Sequence, residues 1–150
     1  MPVAQPRFEH VADLTAFVDK PIEVSPTRRM IAITGGSVSG PALNGTILPG
    51  GSDVQVVRAD ATVDLLARYV IQTGDGALLY VENAGLRHGP PDVMEKLRRG
   101  EPVDQNLLYF RTTPRFETSD ERYQWLTRRV FVGLAARFPT HVEVKIFQLL

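Results

Sequence analysis

The sequence predicts an all-β fold: a closed antiparallel up-and-down β-barrel of about eight to ten strands, lipocalin-like in shape, with one or two short helices. Three observations carry this expectation. Short β-branched runs bounded by Gly, Pro, Asn and Asp recur along nearly all of the 150 residues. Strands do not alternate with helical periods, as a parallel βαβ sheet would require. Finally, Asp75-Gly76 lies between two β-rich runs, the arrangement of a tight hairpin. Closure follows because a sheet of many short strands otherwise leaves two unpaired edges.

The strand-like runs begin with "FEHVADLTAFV" (8–18), followed by Pro21 and Pro26. "RRMIAIT" (28–34) ends at Gly35-Gly36, "NGTIL" (44–48) runs into Pro49-Gly50-Gly51, and "DVQVVRAD" (53–60) follows. Residues 33–53 hold six of the twelve glycines, read here as corners where the chain bends or needs a positive φ. They are not a phosphate loop. Gly35 and Gly40 have the right separation, but Pro41 stands where the lysine is needed.

A two-residue turn at Asp75-Gly76 sets a register for the central hairpin. It places Thr73 opposite Leu78, Ile71 opposite Tyr80 and Tyr69 opposite Glu82, with Arg68 opposite Asn83 on the other face. Helices are expected near 91–99, where "PPDVMEKLRR" stops at Gly100, and near 119–127, where Thr118 and Glu121 have capping-box spacing. "LLYFRTT" is a strand that ends in a proline turn at Pro114, and 129–138 with 141–150 make a final hairpin.

Composition sets the outer limits. The length suits one domain over 1–150, and 43% hydrophobic with 23% charged residues is ordinary for a globular protein. Lys plus Arg and Asp plus Glu balance at 17 each, which argues against nucleic acid or an anionic membrane as partner. With no cysteine, disulfides, zinc thiolates and thiol nucleophiles are excluded. No secretory signal or membrane-length apolar run is visible, so a cytoplasmic location is expected.

Metal and cofactor chemistry find no signature either. His10, His88 and His141 lie in separate segments without ligand spacing, and neither G-x-S-x-G nor a dinucleotide fingerprint occurs. No cofactor and no metal are expected. What remains is polar side chains on otherwise apolar strand faces: Arg68 with Leu66 and Val70, Tyr109 with Arg111, and Tyr80 with Glu82. In a closed barrel such groups orient a guest or fill the lumen as ion pairs, and both readings stay open. Trp125 is expected to plug one end or to wall the pocket.

The stretches "ITGGSVSGPALNGTILPGGSD", "ARYVIQTGDGALLYVENAGLRHGP" and "YFRTTPRFETSDERYQWLTRRVFVG" closely resemble the family catalogued as DUF3237, also UPF0311. The likeness runs from about residue 28 onward. It implies a closed β-barrel with a central cavity, and some members occur among biosynthetic or catabolic enzymes for small molecules. The pattern carries over onto Asp53, Arg68-Tyr69, Asp75-Gly76, Asn83, Tyr109, Arg111 and Trp125. The usual asparagine after "WL" is Thr127 here.

The function these observations support is a cofactor-free lyase, isomerase or cyclase acting on a hydrophobic carbonyl or aromatic compound in the lumen. Asp53 or Glu82 would be the base and Tyr80 or Tyr109 the acid, with Arg68, Asn83 and Arg111 on the oxyanion side. A non-catalytic, lipocalin-like binder would use the same pocket, with Trp125 among its contacts. Self-association through an exposed sheet face is the third reading.

Overall fold

The computed structural model describes residues 3–150. Ten strands follow one another: β1 (Phe8–Val18), β2 (Ile22–Ser25), β3 (Arg28–Ser39), β4 (Gly45–Ile47), β5 (Gly51–Val57), β6 (Val63–Thr73), β7 (Leu78–His88), β8 (Tyr109–Glu117), β9 (Phe131–Arg137) and β10 (His141–Leu149). Helix α1 (Pro91–Arg98) joins β7 to β8, and short 3-10 segments span Gln105–Leu107 and Glu121–Arg128. Around the sheet the order is β1-β10-β9-β8-β7-β6-β4-β3, and β3 pairs back onto β1. β5 continues where β4 stops, also between β3 and β6. The wall is therefore an eight-position closed antiparallel barrel, with β2 folded back on β3.

Gly35 and Gly36 do not end a strand, as the sequence suggested. β3 runs through them, leaving β5 after Ile33–Gly51 and meeting β4 at Gly36–Ile47. A Cβ on Gly36 would lie 2.0 Å from the carbonyl oxygen of Thr15, so only glycine lets β3 approach β1 there. Pro114 likewise sits inside β8 rather than in a turn, and its ring is fully buried.

The barrel interior follows period-two alternation. On β6 Leu65, Tyr69 and Ile71 are buried; on β7 Leu79, Val81, Asn83 and Arg87; on β8 Phe110, Thr112, Pro114 and Phe116. At the end of the barrel near the β6–β7 hairpin this core is apolar apart from Thr73. Phe116 meets Phe131 edge-on at 5.0 Å, and Trp125 packs on Phe131 at 6.2 Å. Each such ring buried stabilises by roughly 2–3 kcal/mol. The 3-10 segment at this end starts at Asp120, whose side chain accepts from the Arg122 backbone N–H, so the cap is Asp120 and not Thr118. At the opposite end α1 buries Val93 and Met94 against Val63 and Leu108. β8 and β9 pair at only two positions, Arg111–Leu134 and Thr112–Gly133.

Closure at Gly36 is testable by substitution. Gly36→Ala is expected to cost roughly 3 kcal/mol or more, at the upper end of single substitutions. Gly74→Ala, where an added Cβ meets nothing within 4 Å, should stay within about 0.5 kcal/mol of wild type. Urea unfolding midpoints compare the two, and equal midpoints would refute the closure argument.

Candidate functional site

The central hairpin decides which side chains enter the lumen. Its loop has three residues, Gly74, Asp75 and Gly76: the Thr73 N–H donates to the Ala77 carbonyl at 2.9 Å, and the Ala77 N–H donates to Thr73 Oγ1 at 2.8 Å. Asp75 is held outside by the Tyr123 hydroxyl at 2.9 Å. The extra residue shifts the register by one from a two-residue turn. Arg68 therefore faces Glu82 and Ala67 faces Asn83. A one-residue slip exchanges the two faces of a strand.

The expected lumen face of β6 is thereby corrected. Arg68 lies on the outer wall, half exposed, 3.4 Å from Glu82, and the Tyr80 hydroxyl donates to the same carboxylate at 3.0 Å. Tyr109 and Arg111 are also outside, the guanidinium 5.1 Å over the phenol ring. Alternation along β8 sends Phe110 and Thr112 inward and leaves Tyr109 and Arg111 to solvent. Trp125 stays with the apolar plug on Phe131, away from the polar part of the lumen. Of the residues singled out in the sequence, Arg68, Tyr80 and Glu82 meet on the outer wall, and the structure brings together inside the barrel Asp53 and Asn83.

These two share one circuit of the wall, because successive cross-strand partners are Ile31, Asp53, Ala67, Asn83 and Pro114. Gln55 donates from Nε2 to Asp53 Oδ2 at 2.8 Å, while Asp53 Oδ1 is sealed from solvent without a partner. Burial pushes the Asp53 carboxyl above the usual range, opposed by the Gln55 hydrogen bond and by the charges of Arg87 and Arg137. Asn83 Oδ1 and Thr112 Oγ1 are likewise buried and unpartnered among the described residues. The neighbours of Asn83, Ala67 and Pro114, offer no side-chain hydrogen-bonding group. Asp53, Asn83 and Thr112 line a common cavity of about 50 Å³ with Leu14, Tyr69 and Val144. That is room for a few water-sized groups.

Sequence reasoning passed over further buried polar groups, among them Arg29, Gln55, Arg87, Thr112 and Arg137. Arg29 donates from Nη2 to Gln55 Oε1 at 2.9 Å, so Gln55 links it to Asp53. Arg137 donates from Nη1 to the Phe138 carbonyl at 2.8 Å, and Arg87 lies 5.1 Å over the Phe110 ring. Burial pulls all three guanidiniums below their ordinary pKa, and for Arg87 the like charges of Arg137 and Arg29 add to it. A second cavity, about 300 Å³, lies beneath α1, with Arg29, Arg87, Val57, Val63 and Met94 in its wall. Strict alternation from Ile31 back to Arg29, and from Val81 through Asn83 to Arg87, was the available signal.

The histidines remain apart: His10 on Asp13, His88 on Thr62, and His141 stacked on Phe138. Among the described residues no three His, Asp or Glu side chains gather as a metal-ligand set, and no helix is long and apolar enough to cross a membrane.

Fold and interior together define a closed antiparallel β-barrel whose lumen is apolar at one end and carries unsatisfied polar groups towards the other. The chain belongs to the family described as "Protein of unknown function (DUF3237)", whose model matches residues 6–149. A UPF0311 protein of Rhodopseudomonas palustris is 49% identical over 123 residues, 82% of this chain and 80% of the relative. The crystal structure of the conserved protein RPA1785 from that organism superposes with a TM-score of 0.95 at 42% identity, over 99% of this chain and 100% of that one. A β-barrel-like protein of Acinetobacter baumannii gives 0.84 at 34% identity, over 99% of each chain. More distantly, a hydroalkoxylation enzyme of Penicillium herquei is 32% identical over 95 residues, 63% of this chain and 48% of the relative. The structure of an enzyme from the same fungus shares the fold at TM-score 0.73 and 21% identity, over 100% of this chain and 98% of that one.

The raised Asp53 carboxyl has a signed consequence for stability. The folded protein holds that proton more tightly than the unfolded chain. The group's stabilising contribution is therefore full below its unfolded value of 3.8 and is lost as pH rises through the folded pKa. The unfolding free energy of Asp53→Asn relative to wild type should thus increase from pH 4 to pH 8. Urea titrations across that range check it, and a difference that falls with pH would contradict the burial argument.

Proposed function

We propose that the barrel binds a small, partly hydrophobic carbonyl or aromatic compound and carries out cofactor-free acid–base chemistry on it, as a lyase, isomerase or cyclase. The observation that carries this reading is Asp53: one carboxylate oxygen is anchored by Gln55, the other has no side-chain partner, and the residue lines a cavity together with Asn83 and Thr112. A carboxyl raised by burial is poised nearer neutrality as a base, and a fixed partner on one oxygen orients the other.

In this reading Asp53 takes a proton from a hydroxyl or from the carbon beside a carbonyl, and later returns it at carbon. Donation from the Asn83 Nδ2 amide group and the Thr112 hydroxyl holds the oxygen on which negative charge develops. The hydroalkoxylation enzyme of Penicillium herquei lends support. Adding an O–H across a carbon–carbon double bond removes one proton from oxygen and delivers one to carbon, with no net change of electrons. Acid–base groups suffice for that reaction. The cavity beside Asp53 admits only the reacting edge of such a compound, and a bulkier guest must displace Leu14, Val142 or Val144.

Proton exchange tests the reading without knowledge of the natural substrate. In deuterated buffer the wild-type protein should catalyse deuterium incorporation beside the carbonyl of aryl ketones such as propiophenone, followed by mass spectrometry. Asp53→Asn should lower that rate by roughly 10²–10⁴-fold, whereas Arg68→Met, on the outer wall, should keep it. No exchange above buffer across an aryl-ketone panel, or an unchanged rate in Asp53→Asn, would reject the proposal.

A further inference from the structure

We infer that the cavity beneath α1 is a carboxylate-binding subsite anchored by Arg87, with Arg29 as its second cation, so that the compound taken up by the barrel is an organic acid. The inference rests on the small-molecule reading above and adds the ligand's chemical class.

Charge imbalance is the first ground. Among the described residues, three guanidiniums (Arg29, Arg87 and Arg137) are buried in this half of the barrel, and the carboxylates whose charges act on them are Asp53 and, for Arg29 alone, the exposed Glu23. None of the three forms an ion pair among those residues, and Asp53 is already engaged by Gln55. A buried charge without a counter-charge is strongly unfavourable, so an excess of this kind points to an anion supplied from outside.

Geometry is the second. Arg87 is 3% exposed, lines the 300 Å³ cavity, makes no side-chain hydrogen bond among the described residues, and has its Nε sealed from solvent. The Phe110 ring lies against its guanidinium at 5.1 Å, which favours a fixed orientation for the planar fork. A fixed guanidinium suits the two parallel hydrogen bonds of a carboxylate. Glu23 and Glu95 also border the cavity, but both are exposed and paired with Arg98, at 3.4 and 2.7 Å. They leave Arg87 without a partner. Val57, Val63, Met94 and Leu97 complete the wall and suit the hydrocarbon part of an aryl or alkyl acid.

Methyl NMR of the full-length protein, titrated with 3-phenylpropanoate and with its neutral amide, tests the assignment. The acid should shift the Val57, Val63, Leu97 and Met94 methyl signals saturably, and bind at least about tenfold more tightly than the amide. Arg87→Met should erase that preference without lowering the melting temperature, because it removes an unpaired buried charge. Arg68→Met should retain the preference. Equal affinities for acid and amide, no saturable shift with the acid, or a preference that survives Arg87→Met would overturn the subsite. Should Arg87→Met fail to fold, the wild-type comparison and Arg29→Met decide, the latter being expected to shrink the preference. Equal shifts from both probes confined to Leu65 and Val144, beside Asp53, would overturn the subsite and leave the small-molecule reading standing.

Discussion

β1 pairs along one edge with β10, from Phe8–Leu149 to Phe17–His141, and along the other with β3, from Asp13–Ser39 to Val18–Ile33. This double pairing turns an open sheet with two raw edges into a continuous wall. It also fixes an inside and an outside for every strand, since period-two alternation then has only one consistent solution. The contact that permits it is the absence of a side chain at Gly36, where β3 passes under the Thr15 carbonyl. The placement of Asp53, the sealing of the arginines and the division of the lumen all depend on that closure.

Within the wall, chemistry is distributed along the barrel axis. The end near the β6–β7 hairpin is filled by Ile71, Leu79, Phe116 and Phe131. Tyr69 is nearby, its phenol held neutral because burial pushes its pKa far up. The end beneath α1 carries Arg29, Gln55, Arg87 and Arg137. Asp53 and Asn83 lie between the two halves. A packed apolar half supplies stability, and the polar half can retain unsatisfied groups because the first half offsets their cost.

Much of this architecture was legible in the sequence because strand patterning and turn residues are local signals. β1 could be read off 8–18 without error, and α1 followed from its prolines and Gly100. The family resemblance pointed to the same barrel. Legibility failed where one residue of loop length mattered. "TGDGA" reads equally well as a two- or a three-residue turn, and that choice alone sent Arg68 out and kept Asn83 in. The buried arginines were missed for a different reason. A guanidinium looks solvated unless the alternation of its strand is followed to the end, as from Ile33 and Ile31 to Arg29. Asp53 and Asn83 were singled out from residue type and family pattern, but their meeting in one cavity is a property of the closed wall.

The meagre pairing of β8 with β9 has a kinetic meaning. Parting two neighbouring strands requires breaking the rungs between them, and this junction has two, against ten between β6 and β7. One of the two is at Thr112, which lines the cavity beside Asp53 and whose hydroxyl lies where a Cβ on Gly133 would intrude. Local opening at this seam breaks fewer rungs than opening between β6 and β7. Amide protons near the seam should accordingly exchange with solvent sooner than those of β6 and β7. Transient separation there would open the cavity beside Asp53 to solvent while both ends of the barrel stay in place.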